Sequence, residues 1–147
     1  MTFEINYRWD GDQAIDDFGY MLQEIERPAR LLQAWKSYRT SQFNLQFSAG
    51  TDPYGDAVQP LSAMYARYKA KRYGARPIRV ASGETRGSYK CEISGNTVVE
   101  TVGGNARWLQ GDGRVTRLIL PNGDIPAKDQ QKLTELALKF LEQTVRN

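Results

Sequence analysis

Pro28 constrains this chain more than any other residue, because it separates two stretches whose apolar residues recur with helical spacing. Upstream, Ile15, Phe18, Met21, Leu22 and Ile25 fall three and four positions apart, the period of an amphipathic helix. Asp12 suits its cap, acids sit in its first turn where the macrodipole favours them, and Gly19 weakens it. Proline has no amide hydrogen to give a helix interior but is tolerated in a first turn. The sequence therefore predicts a break at Pro28 and a second helix from Pro28 to Phe47, its apolar face drawn by Leu31, Leu32, Trp35, Tyr38, Gln42, Leu45 and Phe47. Two consecutive helices at this end of the chain argue against a doubly wound sheet.

Elsewhere the punctuation is clear. Residues 2–7, "TFEINY", alternate apolar and polar and read as a short strand. "SAGTDPYGDAVQP" crowds Asp-Pro, Gly and Pro together, which marks a loop. Leu61, Met64, Tyr65 and Tyr68 form one stripe of a short third helix, with Ser62 as its cap and Gly74 as its end. "RPIRV", "GSYKCEIS", "NTVVETV" and "VTRLILP" are strand candidates, and Gly95-Asn96 is a hairpin turn between the second and third. "GGNARWLQGDGR" and "NGDIP" read as loops. A last helix from Lys128 to Val145 aligns Leu133, Leu136, Ala137, Phe140 and Leu141. The expected fold is α+β, a small and mostly antiparallel sheet packed by the N-terminal helices and a C-terminal helix.

At 147 residues, 40% hydrophobic and 25% charged, the chain suits one domain with a real core. Residues 1–27 are expected to form an acidic N-terminal segment of that domain, peripheral or mobile. No stretch approaches the roughly 20 apolar residues of a membrane span, and the N-terminus has no signal-peptide pattern, so a cytoplasmic origin is expected. Cys91 is alone and histidine is absent. That excludes internal disulfides, imidazole metal sites and histidine-based triads. "GDGR" and "GGNAR" lack the spacing of phosphate loops, and Asp10-Asp12 with Asp16-Asp17 lack the glycine and closing glutamate of a calcium loop. Ser88 and Lys90 share one strand face with no oxyanion hole beside them. No catalytic residue, cofactor site or metal site is assigned.

The charge is divided. Residues 1–26 hold seven acids against one base, and residues 61–90 hold eight bases against one acid. Within the basic part, "YARYKAKRYGARPIR" mixes tyrosines with cations as a single-strand platform does. Helical spacing instead sends Tyr65 and Tyr68 inward with Leu61, leaving a cationic rim. The residues expected to carry an interaction are Arg67, Lys69, Lys71, Arg72, Arg76, Arg79 and Arg86 on the basic side, and Asp12, Asp16 and Asp17 on the acidic side. The alternative is a small basic nucleic-acid-binding module.

Several short motifs in the middle of the chain resemble one group. They are Phe47, Asp52-Pro53-Tyr54-Gly55, Pro60-Leu61, the Tyr/Lys/Arg run from Tyr65 to Arg72, Pro77-Ile78, Gly83, Arg86, Ser88, Trp108 and Gln110-Gly111. Together they resemble the virion morphogenesis, or tail completion, proteins of tailed phages and prophages, the group typified by Mu-like phages, over residues 28–145. Val58 stands where that group commonly has Trp, and "SGETRGSY" replaces its more usual "TGxLRxS". The resemblance implies a structural, non-enzymatic protein acting at the head-proximal end of the tail in head-tail joining. It implies as partners further copies in a ring together with neck, connector and tail-tube proteins, and a location in the virion after assembly in the host cytoplasm. Non-specific contact with DNA passing a ring lumen is compatible with it.

Overall fold

The structure, a computed structural model, describes residues 11–103, 106, 109 and 117–146. The strand expected at residues 2–7, Trp108, Gln110-Gly111 and the start of "VTRLILP" lie outside the described residues. Helix α1 runs Gly11–Glu26 and α2 runs Ala29–Ala49. The break falls where proline dictates: Pro28 takes φ −77° and ψ 56°, and the amide of Leu32 starts the new ladder on the Pro28 carbonyl at 2.9 Å. Gly50, at φ 68°, ends α2 in the left-handed conformation that glycine adopts without a Cβ clash, its amide returning to the Gln46 carbonyl.

Helix α3 spans Ala63–Tyr73, with the Ser62 Oγ accepting the Tyr65 amide and Gly74 closing it, as the sequence predicts. A single turn, α4, covers Glu84–Gly87. Strands β1, Lys90–Ser94, and β2, Thr97–Thr101, pair antiparallel in the register Lys90↔Thr101 to Ser94↔Thr97. Gly95 at φ 58° leads the two-residue turn, the position where such a loop needs glycine. Helix α5, Ala127–Arg146, closes the order. Helices and a two-stranded antiparallel sheet thus make the α+β class expected, with α5 C-terminal.

Helix α2 is the organising element: it lies against β1, β2 and α5, while α1 packs on α5. Its inward stripe is Arg39, Phe43, Gln46 and Phe47. This corrects the predicted face, since Leu45 is exposed and Phe43 is nearly inaccessible. The core joins Phe43, Phe47, Val80, Ala106 and Ile119, with Tyr89 stacked on Phe43 at 3.8 Å between ring centroids.

Two expected strands are not strands. "RPIRV" folds as a turn, with the Val80 amide on the Pro77 carbonyl, and the described residues 117–121 of "VTRLILP" run irregularly. The physical reason is where their carbonyls go. Lys69 Nζ donates to the carbonyls of Arg76, Pro77 and Ile78. Arg79 donates to Leu118, and Gln46 Nε2 donates to Ile119 at 2.6 Å. Side-chain donors replace the ladder these β-rich segments would otherwise need.

Candidate interaction surface

The cations divide into those that hold the framework and those that face solvent. Arg79, buried, sends its guanidinium to the carbonyls of Gln46, Thr51 and Leu118 and lies 4.7 Å over the Phe47 ring. Burial pulls its pKa down to about 10 against the opposing pull of Asp52. Lys69 is equally enclosed, and burial first, then the Arg76 charge, lower its pKa. Both were expected on the interaction rim; both are turned inward, where backbone carbonyls accept their hydrogens. They leave the candidate surface.

A third inward cation, Arg39, was not foreseen. Its Nη1 meets Asp129 Oδ2 at 2.5 Å and its Nε meets Glu100 Oε2 at 3.0 Å. Tyr38 donates to Asp129 Oδ1 at 2.6 Å and Tyr89 to Glu100 Oε1 at 2.8 Å. Burial opposes the charge on Arg39, but the hydrogen bond and charge of Glu100, then Asp129, hold its pKa above the ordinary arginine value. Burial and the Asp129 hydrogen bond raise Tyr38 to about 12, and burial with Glu100 raises Tyr89 further. The sequence did contain a signal: Trp35, Arg39, Phe43 and Phe47 recur every four residues, and a cation on an apolar stripe requires a buried carboxylate.

The motif residues that carry the resemblance also serve the framework. Asp52 Oδ1 accepts the amides of Tyr54 and Asp56, and the Tyr54 hydroxyl reaches the Asp124 carbonyl at 3.2 Å. Ser88 Oγ donates to Thr85 and accepts the Gly103 amide. Val58 is buried.

Of the expected cations left in solvent, Arg67, Lys71 and Arg72 sit on α3. This helix takes no part in the pairings that hold α1, α2, α5 and the hairpin together. The inward placement expected for Tyr65 and Tyr68 is overturned: they are 45% and 48% exposed, and Met64 is 82% exposed. Lys69, one turn after Tyr65, is the residue that α3 buries. The exposed face has internal order. The Tyr65 and Tyr68 rings lie 6.0 Å apart, and Arg72 Nη1 donates to the Tyr68 hydroxyl at 2.6 Å while its guanidinium lies 5.4 Å from the Tyr73 ring centroid. That hydrogen bond, then the charges of Tyr68 and Tyr73, raise the Arg72 pKa. Arg67 and Lys71 flank this face, exposed and outside the four ion pairs found among the described residues. Arg76 and Arg86 are exposed outside α3, hydrogen-bonded to the Ala81 carbonyl and the Asn44 side chain.

The expected acidic partners sit on α1. Asp16 and Asp17 are exposed there, and the Asp12 side chain lies outside the described residues. No ion pair joins Asp16 or Glu26 to α3 within the chain. A shallow groove of about 530 Å³ along Ala29, Arg30, Gln33, Ala34 and Ser37 holds no pair of titratable groups, and its Arg30 is paired to Glu24 at 2.8 Å. No group of metal-ligating residues occurs among the described residues, and no described helix is long and apolar enough to cross a membrane. No protein-family model, curated protein or solved structure matches the chain.

Proposed function

We propose that the chain is a structural virion morphogenesis protein that completes the head-proximal end of a phage tail and takes part in head-tail joining. The observation that carries this reading is the α3 face, where Met64, Tyr65, Tyr68 and Arg72 stand exposed together on one helix. Tyrosine, methionine and arginine are the side chains enriched in protein interfaces, and large exposed apolar groups gathered on one face mark such a site. The resemblance of the central motifs supplies the setting: a virion component, built in the host cytoplasm, with copies of itself and neck or tail-tube proteins as neighbours. The test is deletion of the gene from the phage or prophage that carries it, followed by electron microscopy. Filled heads and unjoined tails are expected, restored by the wild-type gene and not by Tyr65→Ala/Tyr68→Ala. Joined particles at wild-type yield overturn the reading.

A second reading, a basic nucleic-acid-binding module, gains from the same correction, because exposed Tyr65 and Tyr68 beside Arg67 and Lys71 restore a stacking platform. It predicts oligonucleotide binding with a steep salt dependence that disappears in Tyr65→Ala/Tyr68→Ala.

A further inference from the structure

We infer that the occupant of the α3 face is helix α1 of a second copy of this chain. The inference rests on the reading of α3 as an assembly face and names its partner. The two helices complement each other. On α3, Met64, Tyr65 and Tyr68 are bordered by Arg67, Lys71 and Arg72. On α1, Leu22 and Ile25 are about half exposed, and Asp16 and Glu26 stand in solvent. On α1 only Glu26 adjoins the apolar pair Leu22 and Ile25, while Asp16 lies round the helix from them; the exposed charges are nonetheless of opposite sign on the two helices, and opposite charge steers encounter.

The lengths agree as well. At 1.5 Å of rise per residue, Asp16 to Glu26 covers about 15 Å, and the eleven residues of α3 cover about 16 Å. The chain does not satisfy this pairing internally, since α1 lies against α5 and no ion pair links Asp16 or Glu26 to α3. Because donor and acceptor faces differ, each copy uses its α3 on one neighbour and its α1 on the other. Such a head-to-tail contact closes into a ring when its rotation permits. Duplex or single-stranded nucleic acid is the weaker occupant: Met64, the most exposed large apolar residue among those described, offers nothing to phosphate, and Lys69 and Arg79 are committed to carbonyls.

The experiment uses the full chain, treated with nuclease, with mass measured by sedimentation over a range of concentrations. Wild type should self-associate, and more weakly as salt rises from about 50 to about 500 mM. Lys71→Glu/Arg72→Glu and Asp16→Lys/Glu26→Lys should each weaken association by about tenfold or more while keeping the wild-type circular dichroism spectrum. Mixing the two variants should restore it, because each then meets a complementary face. A wild-type monomer at every concentration overturns the inference, as does association untouched by the α1 reversal, or oligonucleotide binding lost in Tyr65→Ala/Tyr68→Ala. The reading beneath it is judged separately: α3 variants that fail to join heads to tails, with the α1 reversal joining them normally, remove α1 as occupant and keep α3 as the assembly face.

Discussion

Arg39 lies one helical turn before Phe43 on the inward side of α2, and its charge is tolerable there only because Asp129 and Glu100 converge on it. Removing one partner of a buried pair leaves the other charge unsolvated, which costs more than the pair contributes when intact. Asp129 is fully buried, so Asp129→Ala should destabilise the protein by about 3–5 kcal/mol in chemical denaturation. The same assay should give a comparable loss, about 3–5 kcal/mol, for Phe43→Ala in the core. Tyr65→Ser and Tyr68→Ser provide the contrast. Their rings face solvent, so each should shift stability by no more than about 0.5 kcal/mol. A loss of core size from either change would return the tyrosines to the interior.

Helix α3 illustrates how a single buried side chain can tie an element to the segment beside it. Its apolar face is outward, and its main attachment is Lys69, which collects the carbonyls of Arg76, Pro77 and Ile78. Lys69→Met keeps the length of the side chain and removes the donors. It should cost about 1–3 kcal/mol, and amide hydrogen exchange should accelerate in α3 and residues 74–80 more than in α2. Uniform acceleration across the chain would show that Lys69 supports the whole fold rather than this element. The same residue explains what the sequence conceals. The boundaries of α2, α3, the hairpin and α5 were readable because Pro28, Gly50, Ser62, Gly74 and Gly95-Asn96 are local signals acting on their own backbone. "RPIRV" misled because its β-rich composition is local while the donor that replaces its ladder lies seven to nine residues upstream. The face of α2 misled because two of its four buried residues, Arg39 and Gln46, are polar and become comprehensible only with their distant partners. The basic stretch was legible as an interaction region, but which cations serve it depends on carbonyls that helical spacing does not reveal.

Across the whole molecule, the network around Arg39 links α2 to β2 through Glu100, to α5 through Asp129, and to the approach to β1 through Tyr89. Its two phenols make overall stability sensitive to alkali. Tyr38, between Asp129 on α5 and Arg39 on its own helix, has its pKa raised from 10.0 to about 12, chiefly by burial and then by the Asp129 hydrogen bond. Ionisation would remove the proton it donates and set a phenolate against a carboxylate at 2.6 Å. A group whose pKa is higher folded than unfolded contributes stability that is complete below the unfolded value and disappears as pH passes the folded one. For Tyr38 that window runs from 10.0 to about 12, and Tyr89, shifted in the same direction, extends the decline. Alkali acts on many groups at once, so the informative quantity is a difference. Tyr38→Phe should be less stable than wild type near neutrality, and the gap should narrow as pH rises through the window, read from urea midpoints alongside tyrosinate absorbance. A gap that stays constant across the window would mean that folding does not raise the Tyr38 pKa.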